Sequence, residues 1–368
     1  MGKFKHFFKT EIVLVISLIA AIITSFYIKP SLNYVEYIDF KVLAILFCLM
    51  LIVSGFKKIG LFNVLAQKMT EGSKKSKALR LSLILICFFS SMYITNDVSL
   101  ITFVPFAIMV LSITAQTEYI IYVIVMQTVA ANLGSMLTPI GNPQNLYLYS
   151  FYNINTLEFF KITLPVTVAG LILIILFSLI GKNENINVKF QKKEIIKNKK
   201  QLKIYMILFF ICILSVLHIV EYKIALLIIL TTIILVDKSL LKSVDYGLLF
   251  TFICFFIFVG NMGKIESVNN LIVSLIKKRE ILVSILLSQI FSNVPAAVLL
   301  STFTENYESL VIGSNIGGLG TIIASLASLI SFKLYSAMDN SKPMRYLLIF
   351  TAVNILMLLL LIVFVKLF

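Results

Sequence analysis

Charge is scarce in this chain of 368 residues: 13% are Asp, Glu, Lys or Arg, whereas 60% are hydrophobic. Soluble domains carry roughly a quarter charged residues, so a water-facing globular surface is excluded. With a mean hydropathy of +1.01, the solvent of this chain is a bilayer. Cysteine and histidine are equally sparse. Cys48, Cys87, Cys212 and Cys254 each stand alone in an apolar run, and no Cys-x-x-Cys or His-rich spacing occurs. Neither a disulfide framework nor a metal site is implied. An intramembrane protease or transferase would need paired Asp, a Ser/His or Ser/Lys arrangement, or a metal motif at membrane depth. The central spans offer one carboxylate and no histidine, so we expect no enzyme and no cofactor, with Na⁺ as the only ion to consider.

The few charges are unevenly signed, 32 basic against 17 acidic, for a net +15. Such a balance can mark a nucleic-acid partner, but the bases fall mainly in two blocks, Lys57 to Arg80 and Lys182 to Lys203, each between apolar spans. The positive-inside bias explains that placement, and we expect no nucleic-acid partner. A cytoplasmic amino terminus puts the loops 57–80, 182–203, 238–245 and 333–345 inside a cell (plasma) membrane. Lys277-Lys278-Arg279 then falls outside, on an amphipathic surface stretch.

Crossing the hydrocarbon core takes about 20 apolar residues. Full spans are expected near 11–28, 40–56, 118–138, 162–181, 204–220, 223–237, 246–260, 307–336 and 344–366. The first follows Lys3, Lys5 and Lys9 without a small-residue cleavage pattern, which makes it an anchor helix. Segments 79–112 and 280–304 carry a polar break at mid-length and read as re-entrant hairpins. The fold class is therefore all-α and polytopic, with about nine transmembrane helices and two re-entrant hairpins. Four regions result: an anchor at 1–39, a first repeat at 40–181, a basic loop with connecting helices at 182–245, and a second repeat at 246–368. Amphipathic stretches at 61–70 and 265–277 precede the two hairpins. The three crossings at 162–181, 204–220 and 223–237, which separate the broken segments of the two halves, make the second repeat inverted relative to the first.

Four breaks form two matched pairs. Thr95-Asn96-Asp97 and Ala131-Asn132-Leu133-Gly134 through Pro139-Ile140-Gly141-Asn142-Pro143-Gln144-Asn145 interrupt the first half; Ser292-Asn293-Val294-Pro295 and Gly313-Ser314-Asn315-Ile316-Gly317-Gly318 interrupt the second. Broken helices at corresponding places in two halves mark the binding site of a secondary transporter. A helix that stops at mid-membrane exposes unpaired backbone groups and the partial charges of its dipole. Amino ends attract anions, and carboxy ends with unwound carbonyls attract hard cations. We therefore expect Thr95, Asn96, Asn142, Ser292, Asn293 and Asn315 to bind an anionic substrate. Asn132, Gly134, Gly141, Ser314, Gly317 and Gly318 are expected around the coupling ion, where glycine lets backbone approach a ligand. Proline at 139, 143 and 295 stops the helices from continuing.

Asp97 differs from these neutral residues, because an intramembrane carboxylate is a functional candidate by default. It can ligate a coupling cation or carry a proton, or it can cap the second arm of the hairpin. Its counterpart is Val294, so the charge is asymmetric. Asp245, at a predicted span start, needs no functional account.

At Ile94-Thr95-Asn96-Asp97-Val98, Ala131 to Gly134, Thr138 to Asn145, Phe291 to Pro295 and Gly313 to Gly318, the chain resembles the ion transporter superfamily, which includes divalent anion/sodium symporters, citrate transporters and arsenite efflux permeases. The resemblance implies alternating-access transport of a small anion or carboxylate with Na⁺ or H⁺, and a homodimer whose outer spans form a scaffold. In the sodium–dicarboxylate branch both hairpin tips read Ser-Asn-Thr; here they read Thr95-Asn96-Asp97 and Ser292-Asn293-Val294. The acidic tip is more similar to arsenite permeases and sodium/proton exchangers, so oxyanion efflux and Na⁺/H⁺ antiport stand as alternatives.

Overall fold

The computed structural model describes residues 12–32, 34–190 and 192–367; Lys3, Lys5 and Lys9 lie outside them. The described chain is an all-α polytopic membrane protein. Helix α1 (Ile12–Tyr27) packs along a later helix, and a single turn, α2 (Tyr34–Tyr37), leads to α3 (Phe40–Lys58). Asp39 starts α3 by accepting a hydrogen bond from the Val42 amide. Gly60, at φ 84°, turns the chain sharply into the amphipathic α4 (Leu61–Thr70). A short strand β1 (Gly72–Lys75) then leads into α5 (Ser76–Ile94), which breaks at Thr95 before α6 (Asn96–Ile113).

Ser99 Oγ donates to the Cys87 carbonyl at 3.3 Å and lies 2.7 Å from Ser90 Oγ, so α6 folds back along α5. The hairpin expected at 79–112 is present as a fold-back. Its arms are 19 and 18 residues, each of span length rather than a half-crossing.

Helix α7 (Ile120–Ser135) is the centre of the molecule. Its residues from Val123 to Ser135 are all buried, and α5, α6 and four later helices pack around it. A helix apolar all round belongs in such a position. The span expected at 118–138 stops at Ser135, and α8 (Pro143–Phe151) begins with proline at its first position, where the missing N–H costs nothing. Then follow α9 (Thr156–Ser178), strand β2 (Asn185–Val188), α10 (Lys199–Val216), α11 (Tyr222–Asp237) and α12 (Tyr246–Lys264), the helix that packs on α1. The amphipathic α13 (Glu266–Ile276) precedes a second fold-back, α14 (Glu280–Phe291) and α15 (Asn293–Ser301). Last come α16 (Tyr307–Ile316), α17 (Leu326–Ser336) and α18 (Pro343–Leu367).

Two expectations change. The crossing predicted at 307–336 is two helices, because the chain unwinds from Gly317 to Ser325 and Gly320 adopts φ 111°. Among the described residues, seven helices are long and apolar enough to span: α3, α5, α6, α9, α11 with its 3₁₀ extension to Ser243, α12 and α18. The basic loops are also more ordered than their composition implies. β1 and β2 pair antiparallel, Gly72 opposite Val188 and Lys75 opposite Asn185, and tie loop 57–80 to loop 182–203. Arg80, grouped with the loop bases by sequence, is buried.

Candidate functional site

The two hairpin tips share one backbone geometry. Thr95 sits at φ 69°, ψ 152°, and Ser292 at φ 75°, ψ 154°, a region that residues with a Cβ rarely occupy. The next amide on each side makes the same bond: Asn96 N–H donates to the Gly141 carbonyl at 3.1 Å, and Asn293 N–H to the Ala324 carbonyl at 2.9 Å. Each hairpin therefore docks its second arm onto the break of its own half, one residue before the cap of the next helix (Asn142 for α8, Ser325 for α17).

From these tips a polar core crosses between the halves. Asn96 Nδ2 donates to Asn132 Oδ1 at 3.1 Å, and the same oxygen accepts from Ser325 Oγ at 3.1 Å. Asn132 Nδ2 reaches the Gly318 carbonyl at 3.3 Å. In the other direction Asn142 Nδ2 donates to Asn315 Oδ1 at 3.0 Å and to Ser135 Oγ at 3.1 Å, while its own Oδ1 caps α8 on the Asn145 amide. Asn315 Nδ2 completes the chain with Asn145 Oδ1 at 2.6 Å and the Val311 carbonyl at 2.8 Å. Buried amides left unpaired would each cost about 1–3 kcal/mol, so this saturation makes the core rigid.

The structure brings Asn96, Asn132, Asn142, Asn293, Asn315, Gly141 and Gly318 together at this junction. Asn293 Nδ2 packs so closely on Gly318 that a Cβ there would lie 2.8 Å away. Gly134 serves helix packing: a Cβ at this position would collide with the Phe88 carbonyl oxygen of α5. Ser314 Oγ bonds within its own helix, to the Val311 carbonyl at 3.2 Å. The Gly317 carbonyl accepts from Gln289 Nε2 at 3.0 Å. Gln289 is a contributor that sequence reasoning missed. It also bonds the Leu319 carbonyl at 3.0 Å and takes the Thr321 amide on its Oε1 at 2.8 Å, holding the unwound turn open. Its signal was a lone amide in the apolar α14, one turn before the tip. Asn145 stood inside the Pro139–Asn145 motif without being singled out, and Ser325 lies seven residues beyond the Gly313–Gly318 motif.

Asp97 stands apart from this saturated network. Its amide bonds Asn96 Oδ1 at 3.0 Å, but its carboxylate Oδ1 is buried without a hydrogen-bond partner. It caps no helix, since Thr95 holds the cap position and none of the first amides of α6 donates to the Asp97 carboxylate. Gln144 Oε1, in the first turn of α8, is likewise unpartnered.

Asp97 and Thr95 line a cavity of about 410 Å³. Its walls are aliphatic: Leu46, Leu49 and Val53 from α3, Leu326 and Ile330 from α17, Leu248 from α12. Exposed Lys57, Asp245 and Lys333 form the rim. Asp245, which the sequence reading passed over, thus joins the cavity while also capping α12 through the Leu248 amide at 2.9 Å.

At the far end of the second hairpin the packing is closed. Tyr152 donates to the carbonyls of Ser301 (2.9 Å) and Thr304 (2.7 Å), Tyr147 lies 2.8 Å from Ser301 Oγ, and Tyr307 donates to Glu158 Oε1 at 2.7 Å. Among the described residues no group of three or more His, Cys, Asp or Glu could hold a metal ion.

A family model described as a citrate transporter matches residues 7–308. An uncharacterized transporter of Methanocaldococcus jannaschii is 36% identical over 335 residues, covering 90% of each chain. The inner membrane protein YbiR of Escherichia coli is 30% identical over 306 residues, 81% of this chain and 80% of its own. The silicon efflux transporter of Oryza sativa subsp. japonica is 27% identical over 154 residues, 41% of this chain and 31% of its own.

Proposed function

Because this chain belongs to the citrate transporter family, a family of membrane transporters rather than enzymes, we propose that it is a secondary active transporter that moves a small anion or carboxylate by alternating access, coupled to Na⁺ or H⁺. The observation that carries the reading is the matched pair of tips: Thr95 and Ser292 with one backbone geometry, each docking its neighbour's amide on the break of its own half. Repeats of opposite orientation that meet at such breaks supply two exchangeable conformations around one site. The cavity open along Thr95 and Asp97, against tyrosine-sealed packing at the other hairpin, fits one end of that cycle. In this reading Asp97 takes the coupling proton or cation, since its unpartnered oxygen is the charged group that a ligand would satisfy. In this reading the amino terminus and the cavity mouth lie on the cytoplasmic side of a plasma membrane, which the positive-inside bias of the basic loops supports, and the outer spans support a homodimer.

The test is uptake into proteoliposomes under separately imposed Na⁺ and pH gradients, with carboxylates, oxyanions, arsenite and ²²Na⁺ as candidates. Flux of at least one anion should follow one gradient. Flux of ²²Na⁺ against a pH gradient, with no anion moved, would favour the antiporter instead. Indifference of every flux to both gradients would remove the secondary-transport reading.

A further inference from the structure

We infer that the cavity beneath the first hairpin tip takes a monoanion with an apolar body, a monocarboxylate in chemical class, and discriminates against di- and tricarboxylates. The inference rests on the transporter reading for its biological meaning, but on the cavity alone for its chemistry. A volume of about 410 Å³ lies in the range of small-molecule sites. Its walls come from α3, α6, α12 and α17 and are chiefly aliphatic: Leu46, Leu49, Val53, Val98, Leu248 and Ile330. Such walls reward methylene groups, and the remaining polar lining (Ser54, Tyr93, Thr95, Ser243 and Thr251) offers a second carboxylate neutral hydroxyls but no cation. Full charges occur only at the two ends.

At the rim stand Lys57 and Lys333, from different halves of the chain, together with Asp245. Neither lysine joins an ion pair among the described residues, where Lys58 pairs with Asp237 and Lys223 with Glu221. Asp245 Oδ1 is already engaged in capping α12. Among the described residues, two lysines and one carboxylate leave the rim one positive charge in excess (2 − 1), enough for a single carboxylate head. At depth, among the described residues, the only charged group is Asp97, whose free Oδ1, when no proton or cation neutralises it, repels any second negative charge brought near it. No arginine lines the cavity, so the planar two-toothed grip that arginine gives a carboxylate is missing. The ligand that satisfies all of this carries one negative charge at the mouth and an apolar chain directed inward.

The experiment is thermal unfolding of the full chain in lipid nanodiscs, titrated with acetate, butyrate, hexanoate, succinate, citrate and 1-hexanol. Ligand binding to the folded state raises the unfolding temperature in step with concentration over Kd. Affinity for the monocarboxylates should rise about fourfold per methylene until the walls are covered. Hexanoate should bind at least tenfold tighter than succinate or citrate. Lys57→Gln and Lys333→Gln should each weaken hexanoate several-fold while leaving any hexanol response unmoved.

Equal or tighter binding of citrate or succinate overturns the proposal, as does an affinity that ignores chain length. Hexanol binding as well as hexanoate would make the space a lipid crevice and overturn it too. The ligand series on the unsubstituted chain decides the matter even if a lysine variant fails to fold. Hexanoate binding as described, without gradient-driven flux of any ligand, would leave this inference standing and remove the transport mechanism proposed above.

Discussion

Asn142 donates to the side-chain oxygen of Asn315 at 3.0 Å, joining the cap of α8 to the last turn of α16 across 173 residues of chain. Its mirror is Ser325, whose hydroxyl donates to Asn132 Oδ1 at 3.1 Å from the cap of α17 to the end of α7. Each half thus closes the break of the other, which couples the two breaks mechanically. Asn315→Ala leaves the Asn142 and Asn145 amides short of partners in a buried site and should destabilise the protein by about 1–3 kcal/mol. Asn142→Ala should cost more than Ser325→Ala, because Asn142 also caps α8 while Ser325 makes no cap bond. Unfolding of the purified variants in a denaturant series tests the order. Equal losses for Asn142→Ala and Ser325→Ala would show that the cap bond contributes nothing.

The tip geometry makes a second prediction of opposite sign. Thr95 and Ser292 hold positive φ, and neither side chain caps the helix that follows. Strain of this kind costs on the order of 1–3 kcal/mol, against roughly 0.5–1 kcal/mol of extra chain entropy lost when glycine is ordered. Thr95→Gly should therefore leave thermal stability unchanged or raise it. Thr95→Val, of nearly the same shape, should not. If transport falls in Thr95→Gly while stability holds, the Thr95 hydroxyl acts on the ligand.

The breaks were legible in the sequence because Asn, Gly and Pro interrupt apolar runs where no loop belongs, and the pairs Thr95-Asn96 and Ser292-Asn293 match in residue type. The amphipathic stretches were legible for a similar reason: 61–70 and 265–277 appear as Leu61–Thr70 and Glu266–Ile276. Other features depended on contacts far apart in the chain. Gly134 looked like a ligand approach but admits the Phe88 carbonyl; nothing near it in sequence announces α5 as the neighbour. Asp245 looked like a span boundary, and only the packing of α3, α6 and α17 puts it on the cavity rim. Gln289 serves an unwound turn some thirty residues later (321 − 289 = 32).

Arg80 is the clearest case of a residue that composition misassigned. Counted among the loop bases, it instead donates to Gln116 Oε1 (2.8 Å) and to the carbonyls of Ile180 (3.3 Å) and Lys182 (2.8 Å), and its guanidinium stacks 3.9 Å over the Tyr119 ring. It fastens the base of the first hairpin to the end of α9 and the start of loop 182–203. Lysine offers a compact ammonium without the planar fork, so Arg80→Lys should lose roughly 2–3 kcal/mol of stability. Limited proteolysis within 182–198 should become faster in step. Wild-type stability and cleavage in Arg80→Lys would mean that the β1–β2 pairing alone holds the loop.

Asp97 gives the sharpest test of the proposed coupling. As a helix cap, its replacement by Asn would be nearly silent, because Asn caps about as well as Asp. The structure removes that explanation, since the carboxylate bonds no amide and its Oδ1 has no partner. Asp97→Asn preserves size and placement while deleting the charge that a proton or cation would neutralise. Gradient-driven uptake in proteoliposomes should fall by tenfold or more in this variant. Exchange of substrate across equal concentrations, which needs no coupling ion to be released alone, should survive. Asp97→Glu, which restores the charge one methylene further into a cavity with room for it, should recover part of the driven flux. Driven uptake in Asp97→Asn with wild-type dependence on both Na⁺ and pH would exclude Asp97 from coupling. The coupling ion would then have to be held by neutral oxygens at the breaks, such as the carbonyls of Gly141, Gly317 and Gly318, which already accept hydrogen bonds from Asn96, Gln289 and Asn132.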